Sequence, residues 1–264
     1  MEINNIYNMD CLQGMQELED NSIDLTITSP PYDNLRKYNG YHWDFESIAK
    51  ELFRITKNGH VVVGVVSDAT INGSETGSSF KQALYFKEIG FKLHDTMIYE
   101  STKPPLTHKR YEQSFEYMFI LLKGKIEVFN PIMKKNKYYG TTAIRNGDWA
   151  SGKDNCAMRQ RESTKLVKEF GIINNIWRYE AGGHKSTKDK MAYKHPAIFP
   201  EKLAEDHILS WSNENDLILD CFMGSGTTAK MAMLNNRNYI GFEIDETYCN
   251  LANKRIQNHT AVSN

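Results

Sequence analysis

Apolar residues recur along this chain in short blocks whose spacing switches between that of strands and that of helices. Residues 23–28, Ile-Asp-Leu-Thr-Ile-Thr, alternate apolar and polar positions as a strand does, and run straight into Ser29-Pro30-Pro31-Tyr32. Over 43–57 the apolar side chains Phe45, Ile48, Ala49, Leu52, Phe53 and Ile55 follow helical spacing. Asn58-Gly59 then predicts a stop before the apolar run 61–66. Strand, helix and strand in that order predict one unit of a parallel sheet. A helix is expected near 78–89, and strands near 92–100 and 114–123. The pattern resumes with a helix over 200–211, a strand over 217–220, a helix over 227–236, a strand over 239–242 and a last helix near 246–257.

Between 123 and 194 the periodicity fades, and Lys, Arg, Asn, Gly and Tyr dominate. The expected organisation is one α/β domain formed by 1–123 and 195–264, with 124–194 as a separate inserted region. Charge sharpens this division. Residues 101–195 hold 19 Lys and Arg against 9 Asp and Glu, whereas the rest of the chain holds 13 against 24, so a net charge of −1 conceals a basic middle. Such a segment is either a face that meets a polyanion or a solvated lysine-rich insertion. The chain's 264 residues suffice to bury a sizeable core unaided, and 40% hydrophobic with 25% charged residues excludes wholesale disorder. The first ten residues carry no basic and apolar signal pattern, and no apolar run is long enough for a bilayer, so a soluble, cytoplasmic protein with no membrane partner is expected. Cys11, Cys156, Cys221 and Cys249 are scattered without metal-ligand spacing, so free thiols and no metal are expected.

Two turns carry chemistry. In Asp220-Cys-Phe-Met-Gly224-Ser-Gly226-Thr-Thr-Ala229, glycines follow a strand and open a helix, and Glu243 closes the next strand. Glycines allow close backbone approach to a ligand, the helix start offers free N–H groups, and a carboxylate at the next strand tip can grip ribose hydroxyls. The spacing also fits a dinucleotide fingerprint, so a nicotinamide-dependent dehydrogenase would use the same residues. That reading predicts more sheet after the turn, and it leaves Ser29 to Tyr32 unexplained. A non-catalytic nucleic-acid-binding module would explain only the basic middle.

The second turn, Ser29-Pro30-Pro31-Tyr32, sits at the carboxyl end of a predicted strand, and its prolines fix two φ angles. The exocyclic amino group of a nucleobase is a poor nucleophile, because its lone pair is delocalised into the ring. The Ser29 hydroxyl and the Pro30 carbonyl can accept its two N–H hydrogen bonds and turn the lone pair toward an electrophile, while Tyr32 stacks on the base.

With these residues the sequence resembles the amino-methylating DNA methyltransferases, which use S-adenosylmethionine to modify cytosine N4 or adenine N6. Thr28-Ser29-Pro30-Pro31-Tyr32 resembles the family's catalytic motif, and Phe222-Met-Gly224-Ser-Gly226 its cofactor motif. Residues 194–200, Lys-His-Pro-Ala-Ile-Phe-Pro, resemble the segment ahead of the cofactor strand, and Asn8-Met-Asp10-Cys11-Leu12 the segment whose acid meets the cofactor adenine. The order, catalytic motif before cofactor motif, is similar to the β-type permutation. The resemblance implies a Rossmann-like α/β fold. It implies catalysis by Ser29, Pro30, Pro31 and Tyr32, and cofactor binding by Asp10, Cys11, His195, Phe199, Asp220, Phe222, Gly224, Gly226, Thr227 and Glu243. The region 124–194 would recognise double-stranded DNA, with Lys134, Lys135, Lys137 and Arg145 on phosphates. It further implies a flipped target base, a restriction endonuclease as candidate partner, and a monomer or homodimer. No Pro-Cys dipeptide is present to supply the thiolate that cytosine C5 methylation needs. Serine before Pro-Pro accompanies N4-cytosine enzymes more often than N6-adenine ones, so cytosine is favoured and adenine is the alternative.

Overall fold

The structure, a computed structural model, describes residues 1–30, 44–101, 111, 113–142, 166–180 and 185–260. They form two compact units, Met1–Asn130 with Asn175–Asn264, and Pro131–Asn174. The larger unit begins with β1 (Asn5–Asn8), α1 (Cys11–Gln16), β2 (Ile23–Thr28), α2 (Phe45–Ile55) and β3 (Thr56–Val66). A small hairpin, β4 (Thr70–Ile71) and β5 (Ser74–Glu75), leads to α3 (Ser78–Glu88), β6 (Lys92–Ser101) and β7 (Phe115–Leu122). The smaller unit contains β8 (Met133–Lys135) paired antiparallel with β9 (Phe170–Ile172). The chain then returns to the larger unit with β10 (Ile176–Tyr179), a 3₁₀ turn (Lys190–Lys194) and α4 (Glu201–Trp211). It ends with β11 (Leu217–Asp220), α5 (Thr227–Leu234), β12 (Asn238–Glu243) and α6 (Glu246–Thr260).

Eight strands of the larger unit form one sheet in the order β1-β12-β11-β2-β3-β7-β6-β10. The first five run parallel, and β7 lies antiparallel between β3 and β6. The crossover from β2 through α2 to β3 and the one from β11 through α5 to β12 travel in opposite directions across the sheet. Right-handed crossovers that diverge in this way place their helices on opposite faces. Helices α1, α2 and α3 share a core with Val62, Val66, Phe119, Leu121, Leu219, Ile240 and Phe242. On the other face α4 packs against α5, β2 and β3. The Rossmann-like α/β fold expected from the sequence is present.

Two details differ from the sequence pattern. The alternation in β2 promises one wet face, yet all six of its residues are buried because helices cover both sides. Of its polar side chains Asp24 is used internally: the carboxylate accepts from Lys57 Nζ at 2.7 Å and from the Leu217 N–H at 2.9 Å. Asn58-Gly59 lies inside β3 instead of ending an element. Gly59, at φ +82°, stands where the pairing with β2 shifts register, so the turn residues bend a strand that continues. Within the 124–194 stretch, β10 pairs in parallel with β6 and buries Trp177, adding an edge strand to the main sheet. No described helix is long and apolar enough to cross a membrane.

His207 on α4 is fully buried, with Nε2 3.1 Å from the Met118 sulfur and the ring 4.8 Å from that of Trp177. Its Nδ1 has no hydrogen-bond partner among the described residues. Burial pushes its pKa down to about 3. Because the folded chain refuses a proton that the unfolded chain accepts, this residue's contribution is intact above the unfolded value of about 6.5 and is lost as pH falls toward 3. The loss amounts to about 1.4 kcal/mol per pH unit in that window. Urea unfolding at pH 7.5 and 5.5 should show His207→Leu losing less stability than the parent between the two, a difference that separates His207 from the carboxylates.

Candidate active site

Strands β11 and β2 lie side by side and parallel, with Ile218 opposite Leu25 and Leu219 opposite Thr26. Because the chain leaves them in opposite directions, the carboxyl ends of this pair mark the topological switch point of the sheet, the usual ligand position in open α/β sheets. Ser29 and the buried Pro30 leave β2 there, the glycine turn leaves β11, and Glu243 ends the neighbouring strand β12.

The glycine turn is held by two carboxylates. Asp220 accepts from the Phe222 N–H at 3.0 Å and from the Thr228 hydroxyl at 2.6 Å, bracing the turn from strand to helix. Burial raises its pKa to about 6, against the opposing pull of those hydrogen bonds. Glu243 accepts from the Gly224 N–H at 2.7 Å through one oxygen and from the Asp245 N–H at 2.9 Å through the other. Burial raises this carboxyl as well. Each carboxylate oxygen keeps a second lone pair, so Glu243 can still receive hydroxyl donors. Gly226 caps α5 at φ +80° and offers no side-chain cap, so the first N–H groups of the helix, starting at the buried Thr227, lack a capping side chain. A Cβ on Gly226 would stand 2.8 Å from the Ala252 Cβ. Gly224, at φ +53°, has the ring of His195 3.2 Å from where its Cβ would be.

Several other expected residues gather at this turn. His195 is buried, its Nδ1 2.8 Å from the Ala197 carbonyl, and its ring meets Tyr248 edge-on at 4.4 Å. Phe222 is half-buried against the core. Asp10 follows β1, which pairs with β12 so that Asn8 lies opposite Glu243. The Asp10 carboxylate accepts from the Leu12 and Gln13 N–H groups at 2.9 and 3.3 Å and so caps α1. Cys11 is buried, and burial, then the charges of Asp10 and Glu243, push its thiol up to about 12, far from a reactive thiolate. Phe199 is half-buried in the loop before α4. In the smaller unit Lys134, Lys135 and Lys137 are exposed, with Lys135 3.6 Å from Glu169. Pro31, Tyr32 and Arg145 lie outside the described residues, as does Cys156. Among the described residues no His, Cys, Asp and Glu cluster could hold a metal.

The sequence profile of the DNA methylase family that covers N6 and N4 enzymes matches residues 23–254. The chain belongs to this family. A relative, the orphan methyltransferase M.BamHII of Bacillus amyloliquefaciens, is 58% identical over 246 residues, 92% of each chain. The cytosine-N4-specific PvuII DNA methyltransferase has the same fold, with a TM-score of 0.69 at 19% identity over 95% of this chain and 85% of its own. M1.HpyAVI, solved as a complex with SAM, aligns at a TM-score of 0.58 and 23% identity over 95% of this chain and 98% of its own. The family profile spans the Ser29-Pro30 turn, the basic middle and the glycine turn of this DNA methylase.

One group of residues escaped the sequence reading. Arg255 on α6 is fully buried, with Nε 2.7 Å from the Asp189 carboxylate and Nη2 3.1 Å from that of Glu201. The buried Lys230 on α5 reaches the same Glu201 oxygen at 2.6 Å. Burial pushes the Asp189 carboxyl up, but the Arg255 guanidinium and the Met191 N–H outweigh it and hold it below the usual range. The available signal was a cation on an apolar stripe, since Leu251, Ala252 and Ile256 beside Arg255 are all buried.

Gly226→Ala should destabilise the protein by about 2–4 kcal/mol, combining left-handed strain with overlap against Ala252. Gly77→Ala is the control, because Gly77 has φ +65° and nothing within 4 Å of its Cβ position. It should cost only about 1–2 kcal/mol in the same urea titration.

Proposed function

We propose that this methylase transfers the methyl group of S-adenosylmethionine to the exocyclic amino group of a base flipped out of double-stranded DNA, with N4 of cytosine favoured over N6 of adenine. The observation that carries this reading is the parallel adjacency of β2 and β11, from which Ser29-Pro30 and the glycine turn emerge at the same end of the sheet. The donor fits the residues present. Glu243 has lone pairs for ribose hydroxyls, the uncapped start of α5 offers N–H groups to a carboxylate, and Gly224 carries no side chain of its own where the His195 ring comes within 3.2 Å of the Cβ position. When bound, S-adenosylmethionine supplies an electrophilic methyl group on a sulfonium.

The protein's own part is to place and activate the nitrogen. The Ser29 hydroxyl and the Pro30 carbonyl accept the two amino hydrogens, which reduces delocalisation of the lone pair and directs it at the methyl carbon. Transfer would exchange the donor's C–S bond for a new N–C bond, leaving S-adenosylhomocysteine, and the methylated amino group, still held by Ser29 and Pro30, would give up its surplus proton to solvent. Phe222 and His195 close the crevice on the glycine-turn side, and Tyr32 stacks on the extruded base. Asp10 serves the adenine amino group. The stretch 124–194 serves as the target-recognition region, where Lys134, Lys135, Lys137 and Arg145 neutralise phosphates. The preference for cytosine rests on serine at position 29, the residue that more often precedes Pro-Pro in N4 enzymes of the family it resembles.

Incubation with labelled S-adenosylmethionine and unmodified genomic DNA, followed by nucleoside analysis, should yield N4-methylcytosine. N6-methyladenine would transfer the reading to adenine, and binding of NAD without methyl transfer would overturn it. Ser29→Ala should lower the single-turnover rate by about a hundredfold, one transition-state hydrogen bond of roughly 2–4 kcal/mol, while leaving cofactor affinity within about twofold.

A further inference from the structure

We infer that Arg255 is a positioning residue for the methyl-donor site: it clamps the far side of the glycine turn and sets the geometry in which that turn receives the cofactor. The inference rests on the reading of this turn as the S-adenosylmethionine site. Three acceptors on the turn converge on one guanidinium nitrogen. Arg255 Nη1 donates to the Ser225 carbonyl, to the Ser225 hydroxyl at 3.1 Å and to the Thr227 hydroxyl at 3.4 Å. Residues 225–227 thus face away from solvent on that side, and both serine and threonine hydroxyls are turned inward. The other two nitrogens are anchored outside the turn, on Asp189 and Glu201. Glu201 is in turn fixed by Lys230 at 2.6 Å and by the Thr187 hydroxyl at 2.7 Å, and Asp189 caps the 3₁₀ turn through the Met191 N–H.

The planar guanidinium suits this task and an ammonium does not. Its donors lie in one rigid fork, so a single side chain spans two carboxylates and a turn. Lysine has the charge but not the fork, and would keep either the acids or the turn. Neither of the two carboxylates that hold the turn from the crevice side, Asp220 and Glu243, touches Ser225 or Thr227 in any hydrogen bond above. Two strand-tip acids and one helix cation therefore hold different parts of one turn. A clamp that acts only on the donor site should change cofactor affinity without changing the chemistry at Ser29-Pro30 or the affinity for DNA.

The test compares the parent with Arg255→Lys and Asp189→Asn. Calorimetric affinity for S-adenosylhomocysteine, KM for S-adenosylmethionine, kcat at saturating donor and affinity for DNA are measured on each. Asp189→Asn removes one anchor of Arg255 while keeping an oxygen for the Met191 N–H, and it carries the same test should Arg255→Lys not fold. The expected result is cofactor affinity weakened about tenfold or more by Arg255→Lys and about threefold or more by Asp189→Asn, with KM rising in step. In both, kcat at saturation and DNA affinity should stay within about twofold of the parent. Unchanged cofactor affinity in a folded variant would overturn the clamp, as would a parallel fall of kcat and DNA affinity, which marks general loosening. Failure of the parent itself to bind S-adenosylhomocysteine would overturn the reading of the turn and the clamp together.

Discussion

The parallel pairing of β11 with β2 is the constraint from which the rest of this protein follows. These strands are far apart in the chain, and each continues into a right-handed crossover that departs from the other. Helices are thereby forced onto both faces, both strands are sealed from water, and the loops that begin at Ser29-Pro30 and at the glycine turn leave the sheet at the same end. A strand pair that buries Leu25, Ile27, Ile218 and Leu219 completely is also a rigid base for those loops. The switch point is a consequence of how the sheet is wound, and Ser29-Pro30 and the glycine turn are the described segments that leave the sheet there.

Placing polar machinery at the edge of so dry a sheet has an energetic cost. Asp220, Glu243 and Arg255 are charged or ionisable groups removed from water, and each compensates with hydrogen bonds to backbone or to an opposite charge. Burial raises both strand-tip carboxyls, and the hydrogen bonds that oppose it are the ones that shape the turn. Stability and site geometry are therefore carried by the same contacts. The exposed lysines of β8 belong to the smaller unit, on a strand that pairs with β9.

The legible part of the fold was the part whose own side chains are periodic. Helix α2 shows Ile48, Ala49, Leu52 and Ile55 on one face, and β3 and β7 read as apolar runs because they are buried on both sides. Strand β1 and helix α1 escaped notice: four and six residues of mixed polarity acquire their structure from pairing with β12 and from the Asp10 cap. Strand β10 escaped for the same reason, since its pairing with β6 is tertiary and only Trp177 is buried. At the candidate site Gly224 and Gly226 were legible because a positive φ forces the residue type, whereas Ser29-Pro30 stood out by the chemistry proposed for it. Arg255 was not legible, because a cation looks solvent-facing in a sequence until Asp189, Glu201 and the glycine turn converge on it.

The central claim is that the donor sits outside the carboxyl ends of β11 and β12, with its reacting sulfur directed across the crevice to the turn after β2. A crystal structure of the protein with S-adenosylhomocysteine tests this most directly. The account predicts ribose hydroxyls on the Glu243 carboxylate, the amino-acid portion over Gly224 and the start of α5, and the sulfur toward Ser29 and Pro30. Density for the ligand elsewhere, or a ribose held by another acid with Glu243 bonded only to Gly224 and Asp245, would contradict it.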